Sequence, residues 1–131
     1  MNIAIELTQY PQIKLIIPGG FLRDKSLSLV GPIAENSIRN YYCDKFIMGV
    51  DGIDADYGVS TPNAEEAHLN KLMIDISREV IIVTDSSKFL KRSFAFISDN
   101  SLVDIVITDN GIPEEEKNKL ENLGIKVILT R

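Results

Sequence analysis

Lys45-Phe46-Ile47-Met48-Gly49-Val50-Asp51-Gly52-Ile53-Asp54-Ala55-Asp56-Tyr57-Gly58-Val59-Ser60-Thr61-Pro62-Asn63 passes from an apolar run straight into three glycines and three aspartates. The apolar half, Lys45 to Val50, reads as a strand buried on both faces, because it lacks the alternation of a half-exposed strand. A simple turn after it would need one Gly or one Asp. The second half is therefore either an over-built loop or the floor of a site.

Working outward, similar runs occur at Ile13–Ile17, Val80–Val83, Leu102–Ile107 and Ile125–Leu129. Helical spacing separates several of them. Ala34, Ser37, Ile38 and Tyr41 fall on one helix face, as do Leu69, Leu72, Met73 and Ile76. Pro113, then Glu114-Glu115-Glu116, then Gly124 mark a third helix, with proline in its first turn and glycine past its end. Strands alternating with helices predict an open, mostly parallel α/β sheet with helices on both faces. Doubly wound sheets usually open with a strand and a phosphate-binding loop. No glycine-rich loop precedes Gly19, so the sequence is expected to begin partway through a fold.

The 131 residues suffice for one domain. Lys plus Arg number 14 against 19 Asp plus Glu, a net charge of −5 without a basic stripe. Such a surface is poorly suited to gripping a phosphate backbone, so DNA binding by this segment itself is not expected. No run is long enough for a membrane span, and the N-terminus lacks signal-peptide character. The single Cys43 allows no internal disulfide, which suits the cytoplasm.

In open α/β sheets, ligands settle outside the carboxyl ends of the strands. The segments there are Pro18–Arg23, Gly49–Asn63, Thr84–Lys88 and Thr108–Gly111. They offer carboxylates for hydroxyl donors and cations for an anionic group, an inventory suited to a small polyol carrying a charge. Plainer roles stand beside these. Gly19-Gly20 suits an ordinary turn, Asn63 with Glu66 is a capping-box pattern, and Asp85-Ser86 suits a turn cap. His68 reads as a solvated helix residue, Cys43 as core, and Glu114–Glu116 as a helix start only.

Taken together, GGFLR (19–23), LVGP (29–32), GVDGID (49–54), YGVST (57–61), Asn63-x-x-Glu66-Ala67, VTDSSKF (83–89) and DIVITD (104–109) resemble the effector-sensing domain of DeoR-type bacterial repressors. The helix text NAEEAHLNKLM (63–73) is most similar to amino-sugar regulators of the N-acetylgalactosamine type. The resemblance covers Asn2 to Leu129 and implies a fold like ribose-5-phosphate isomerase and glucosamine-6-phosphate deaminase. It implies a phosphorylated-sugar effector, homo-oligomers, no cofactor and no metal. Operator DNA would be contacted only through an N-terminal helix-turn-helix that this sequence lacks. By similarity, Gly19, Gly20, Arg23, Asp51, Gly52, Asp54, Asn63, Glu66, Asp85, Ser87 and Lys88 would line the pocket. Residues 1–131 are thus expected to form a partial sugar-phosphate sensor, without the early Asp-Ser-Gly-Thr-Thr-type phosphate loop. Asn70 stands where many relatives have lysine. Two alternatives remain open. An isomerase or deaminase could use Asp51, Asp54, Glu66 and Lys88, although Ile53 occupies the position where deaminases place histidine. A ligand-incompetent oligomerisation fragment is the other.

Overall fold

The computed structural model describes residues Met1–Arg131, which divide into two compact units, Met1–Asn40 and Tyr41–Arg131. The first unit holds α1 (Asn2–Leu7), the two-residue strands β1 (Phe21–Leu22) and β2 (Leu29–Val30), and α2 (Pro32–Ile38). Strands β1 and β2 pair antiparallel, Phe21 opposite Val30. Pro32 opens α2 where a missing N–H costs nothing, and Ala34 and Ile38 are its buried residues.

The expected strand at Ile13–Ile17 does not form; the segment is irregular, and Ile13, Ile16 and Ile17 are exposed. An apolar run can specify a strand only where a neighbouring strand accepts its backbone groups, and no strand pairs with this segment.

The second unit contains β3 (Cys43–Met48), β4 (Gly52–Asp54), β5 (Gly58–Thr61), α3 (Ala64–Asp75), β6 (Ser77–Val83), β7 (Ala95–Ser98), β8 (Ile105–Asp109), α4 (Glu114–Asn122) and β9 (Lys126–Thr130). Strands β3, β6, β8 and β9 form a wholly parallel sheet in that order. This is the α/β sheet its Ile/Val-rich runs predict, except that β3 is covered on one face only: Phe46 and Met48 are buried and Ile47 is exposed. Phe46 lies opposite Val80, Met48 opposite Ile82, Ile82 opposite Val106 and Val106 opposite Val127. These residues share one face, and Ala67 and Ile74 of α3 and Leu120 of α4 join them in one apolar core. The helix α4 ends as expected, with Gly124 at φ +86 and its N–H donating to the Glu121 carbonyl. Pro113 sits one residue earlier than predicted, as the N-cap.

A second sheet was not foreseen. The stretch after Met48 is not a loop but a hairpin, β4–β5, with Ile53 opposite Val59 and β7 added antiparallel to β5. Ile53, Val59 and Ile97 are almost completely buried and belong to the same core. Short strands of this length carry too few residues to reveal a period.

Candidate functional site

Because β3, β6 and β8 run parallel and in register, their carboxyl ends meet at one edge of the sheet. Two connections leave from there, after β3 and β6, and one from β5 of the hairpin sheet joins them at Asp51. The first carries Asp51 to the open end of the hairpin, where its N–H donates to the Ser60 carbonyl at 3.1 Å. The second links β5 to α3 through Thr61-Pro62-Asn63. The third is Thr84–Lys88, which continues so that Leu90 N–H donates to the Ile53 carbonyl at 2.9 Å. A parallel bridge from Phe89 to Ile53 lays this third segment alongside β4.

At this junction the Thr61 hydroxyl lies 2.9 Å from Asp51 Oδ2 and 3.4 Å from Glu66 Oε2. One hydroxyl proton serves one carboxylate at a time. Two acids from different elements therefore meet at a single donor, a spot that favours further donors such as the hydroxyls of a polyol. Thr61 is almost fully buried, Glu66 half-buried and Asp51 exposed. Thr61 was missing from the sequence-derived set; its place two residues before the N-cap of α3 was the available signal. Asn63 takes the capping role, its Oδ1 accepting from Glu66 N–H at 2.9 Å, and so fixes Glu66 in the first turn.

Thr84–Lys88 is held by carboxylates. Asp85 Oδ1 accepts from the Ser87 N–H at 3.0 Å and from the Ser87 hydroxyl. Asp109 Oδ2 accepts from Ser86 N–H at 2.7 Å, and its Oδ1 from Gly111 N–H at 2.9 Å. The Ser87 hydrogen bonds, then the nearby Lys88 charge, keep the Asp85 carboxyl below its ordinary range. The bonds from Ser86 and Gly111 do the same for Asp109. Asp85 and Ser87 thus shape the loop, while Lys88 is its half-buried cation.

Within the opening stretch, Asp54 and the glycines have structural roles of their own. Asp54 lies at the closed end of the hairpin, about 10 Å along β4 from Asp51. It is buried, and its Oδ1 accepts from Asp56 N–H at 2.9 Å and Tyr57 N–H at 3.3 Å. That is an Asx turn. Two glycines of the stretch serve close approach between chain segments. A Cβ on Gly52 would stand 2.5 Å from the Lys91 carbonyl oxygen. One on Gly58, at φ +99, would strike the Ser98 carbonyl.

Glu116, read from sequence as part of a helix start only, is 2% exposed and its Oε2 accepts from Ala55 N–H at 2.8 Å. Asn100 donates to the carbonyls of Asp54 and Ala55, at 2.8 and 3.0 Å. The Lys119–Asp56 ion pair, 3.0 Å, adds a second tie from α4 to the turn. These partners lie 45 to 63 residues away in sequence, beyond any local signal. Cys43 is half-buried at the start of β3 rather than in the core, and His68 is exposed on α3.

Gly19, Gly20 and Arg23 lie in the first unit. Gly20, at φ +108, is required by packing, since a Cβ would sit 2.7 Å from the Val30 carbonyl and 2.9 Å from Ala34 Cβ. Arg23 closes the segment between β1 and β2, its N–H donating to the Ser28 carbonyl at 2.9 Å.

Comparison with known proteins gives this geometry a family. The model of the DeoR C-terminal sensor domain matches residues 1–110. A protein of Escherichia coli O157:H7 named as an aga operon transcriptional repressor is 43% identical over 129 residues, covering 98% of this chain and 48% of that protein. The HTH-type transcriptional regulator YulB of Bacillus subtilis is 39% identical, covering 97% of this chain and 49% of YulB. The glycerol-3-phosphate regulon repressor of E. coli K12 is 30% identical over 109 residues, covering 83% and 43%. The chain therefore spans about half the length of the curated relatives it matches. It belongs to the DeoR family and corresponds to that family's C-terminal sensor domain.

Proposed function

We propose that this segment is the effector-binding part of a transcriptional regulator and that its effector is a phosphorylated sugar. The observation that carries the reading is the meeting of Asp51 and Glu66 at the Thr61 hydroxyl, at the carboxyl edge of the parallel sheet and beside the Thr84–Lys88 loop. Carboxylates in that setting accept hydrogen bonds from sugar hydroxyls, and Lys88 supplies the positive charge that a phosphate requires. The relatives' names point the same way: one is named for the aga operon and another for the glycerol-3-phosphate regulon. Operator DNA would be contacted by a part of the longer protein outside this segment.

Signalling then follows from linkage. An effector shifts a regulator between two states only as far as it prefers one of them. A ten- to hundred-fold change in operator affinity requires roughly 1.4–2.8 kcal/mol of differential binding, within reach of one or two charge-assisted hydrogen bonds. A catalytic reading has weaker support. Ile53, which stands where the related deaminases place histidine, is fully buried in the core, so that position presents no acid–base group to a ligand.

Thermal unfolding with a panel of sugar phosphates, the matching free sugars and inorganic phosphate tests the proposal. A phosphosugar at a hundred times its dissociation constant should add about 2.7 kcal/mol of stability, with the free sugar far weaker and no turnover of either. A folded sample that no phosphosugar stabilises contradicts it.

A further inference from the structure

Asn110 is the only asparagine in the chain that is followed by glycine. It leaves the carboxyl end of β8 in a turn outside helix and strand, and both Asn110 and Gly111 are exposed to water. The turn is loosely closed, since the Ile112 N–H reaches the Asp109 carbonyl only at 3.4 Å, beyond the usual range for such a bond. Glycine is there for space. A Cβ at Gly111 would stand 2.5 Å from Ser86 Oγ and 2.8 Å from Asp109 Oδ1. Asp109 in turn accepts from the Ser86 N–H at 2.7 Å and from the Gly111 N–H at 2.9 Å.

We propose that Asn110 is a site of spontaneous covalent modification, its carboxamide closing onto the Gly111 nitrogen, and that the Asp109 carboxylate restrains the reaction. The Gly111 nitrogen, its proton withdrawn by water, attacks Asn110 Cγ. The new N–Cγ bond completes a succinimide ring as the Cγ–Nδ2 bond breaks, and ammonia leaves with the proton. Water then opens the ring at either carbonyl, which leaves aspartate or isoaspartate at position 110. Water is the only co-reactant, and nothing is oxidised or reduced. Glycine permits the closure because no Cβ shields its nitrogen and its backbone reaches conformations closed to other residues. Asp109 opposes it twice. Its oxygen stabilises the neutral N–H by accepting from it, and its charge lies beside the anion that the nitrogen must become. Asn36 and Asn100, each followed by serine, are the next least hindered positions. Asn36 lies within α2, and Asn100 is buried with its Nδ2 donating to the carbonyls of Asp54 and Ala55. The fold therefore concentrates the reaction at Asn110. Isoaspartate carries the main chain through an extra methylene, so Gly111 loses its place on Asp109 Oδ1. The anchor of Ser86, and with it the Thr84–Lys88 loop, loosens.

Prolonged incubation of the folded 131-residue chain in warm, mildly alkaline buffer, followed by peptide fragmentation in a mass spectrometer, reads the site. The mass gain of an amide-to-acid exchange should fall on Asn110, at least tenfold ahead of Asn36 and Asn100. Asp109→Asn keeps an acceptor but removes the charge, and should speed the reaction at least threefold while Asn100 stays intact. In the isoaspartyl fraction, separated by its added charge, amide exchange at Ser86 and Ser87 should quicken at least tenfold and that at Val80–Ile82 stay unchanged. A folded chain that keeps Asn110 intact over many half-lives of its urea-unfolded form overturns the proposal, as does prior reaction at Asn36 or Asn100. An Asp109→Asn variant that reacts no faster, with circular dichroism showing it folded, overturns the restraint. Unaltered exchange at Ser86 in the isoaspartyl chain overturns the link to the loop.

Discussion

The parallel sheet and the hairpin sheet share one core, yet they are held in different ways. Ile82 and Val106 in the parallel sheet are fully buried apolar side chains whose neighbours are other apolar side chains in register. The hairpin sheet buries Ile53 and Val59 as completely, but its turn is tied by Asp54, Asn100, Glu116 and Lys119, and its strands approach at glycines. The first kind of structure responds in proportion to lost volume. The second fails at particular atoms, because an unpaired buried group or a Cβ with no space has no cheap relaxation.

Substitutions that separate the two regimes rank by expected effect. Gly58→Ala combines a left-handed backbone with a collision at the Ser98 carbonyl, and should destabilise by about 3–5 kcal/mol in urea unfolding. Ile82→Ala in the parallel sheet should cost about 2–5 kcal/mol while Ile82→Val costs only about 0.5–1.5, a graded response that Gly58 should not show. Glu116→Ala leaves the Ala55 N–H without its acceptor, a loss of about 1–3 kcal/mol. Amide exchange should quicken first at Ala55–Tyr57 in that variant. A loss spread evenly over β3 and β6 would contradict the local-tie account. Asn63→Ala removes the cap that holds Glu66 N–H, and should cost about 1 kcal/mol.

Acid sensitivity is the mildest probe and belongs to the loop edge. Folding lowers the pKa of Asp85 and Asp109 from the ordinary 3.8. Their contribution is therefore complete at neutral pH and is withdrawn as the pH falls below that unfolded-chain value. Asp109→Asn should flatten this part of the stability–pH profile, and an unchanged profile would sink the assignment.

The same contrast explains what could be read from residues alone. The strands at Lys45–Val50 and Val80–Val83 announce themselves through continuous Ile/Val/Met runs, but burial on both faces holds only for Val80–Ile82; in β3 Phe46 and Met48 are buried while Ile47 is exposed. Ile13–Ile17 carries the same signal and forms nothing, since pattern supplies hydrophobicity but not a pairing partner. The hairpin was hidden because Gly52–Asp54 and Gly58–Thr61 look like turn chemistry, and their glycines answer to Lys91 and Ser98, which lie some forty residues further along the chain. At the carboxyl edge, loop position and family motif pointed to Asp51 and Glu66, which the structure brings to the Thr61 hydroxyl, and to Asn63, which caps α3. Nothing pointed to Thr61, nor to the Asx turn that Asp54 holds. Glu116 was invisible, because a glutamate in a first helical turn is usually solvated and only tertiary structure shows that this one is not.

The account rests on where a phosphosugar binds, and amide chemical-shift mapping of the labelled chain reads that position directly. Titration with a phosphosugar that raises the unfolding temperature should move the amides of Asp51–Gly52, Thr61–Glu66 and Thr84–Lys88, and replacing Asp51 with Asn should reduce the affinity at least tenfold. Shifts confined to Tyr57, Arg92 and Phe94, with the Asp51→Asn variant binding as before, would contradict it.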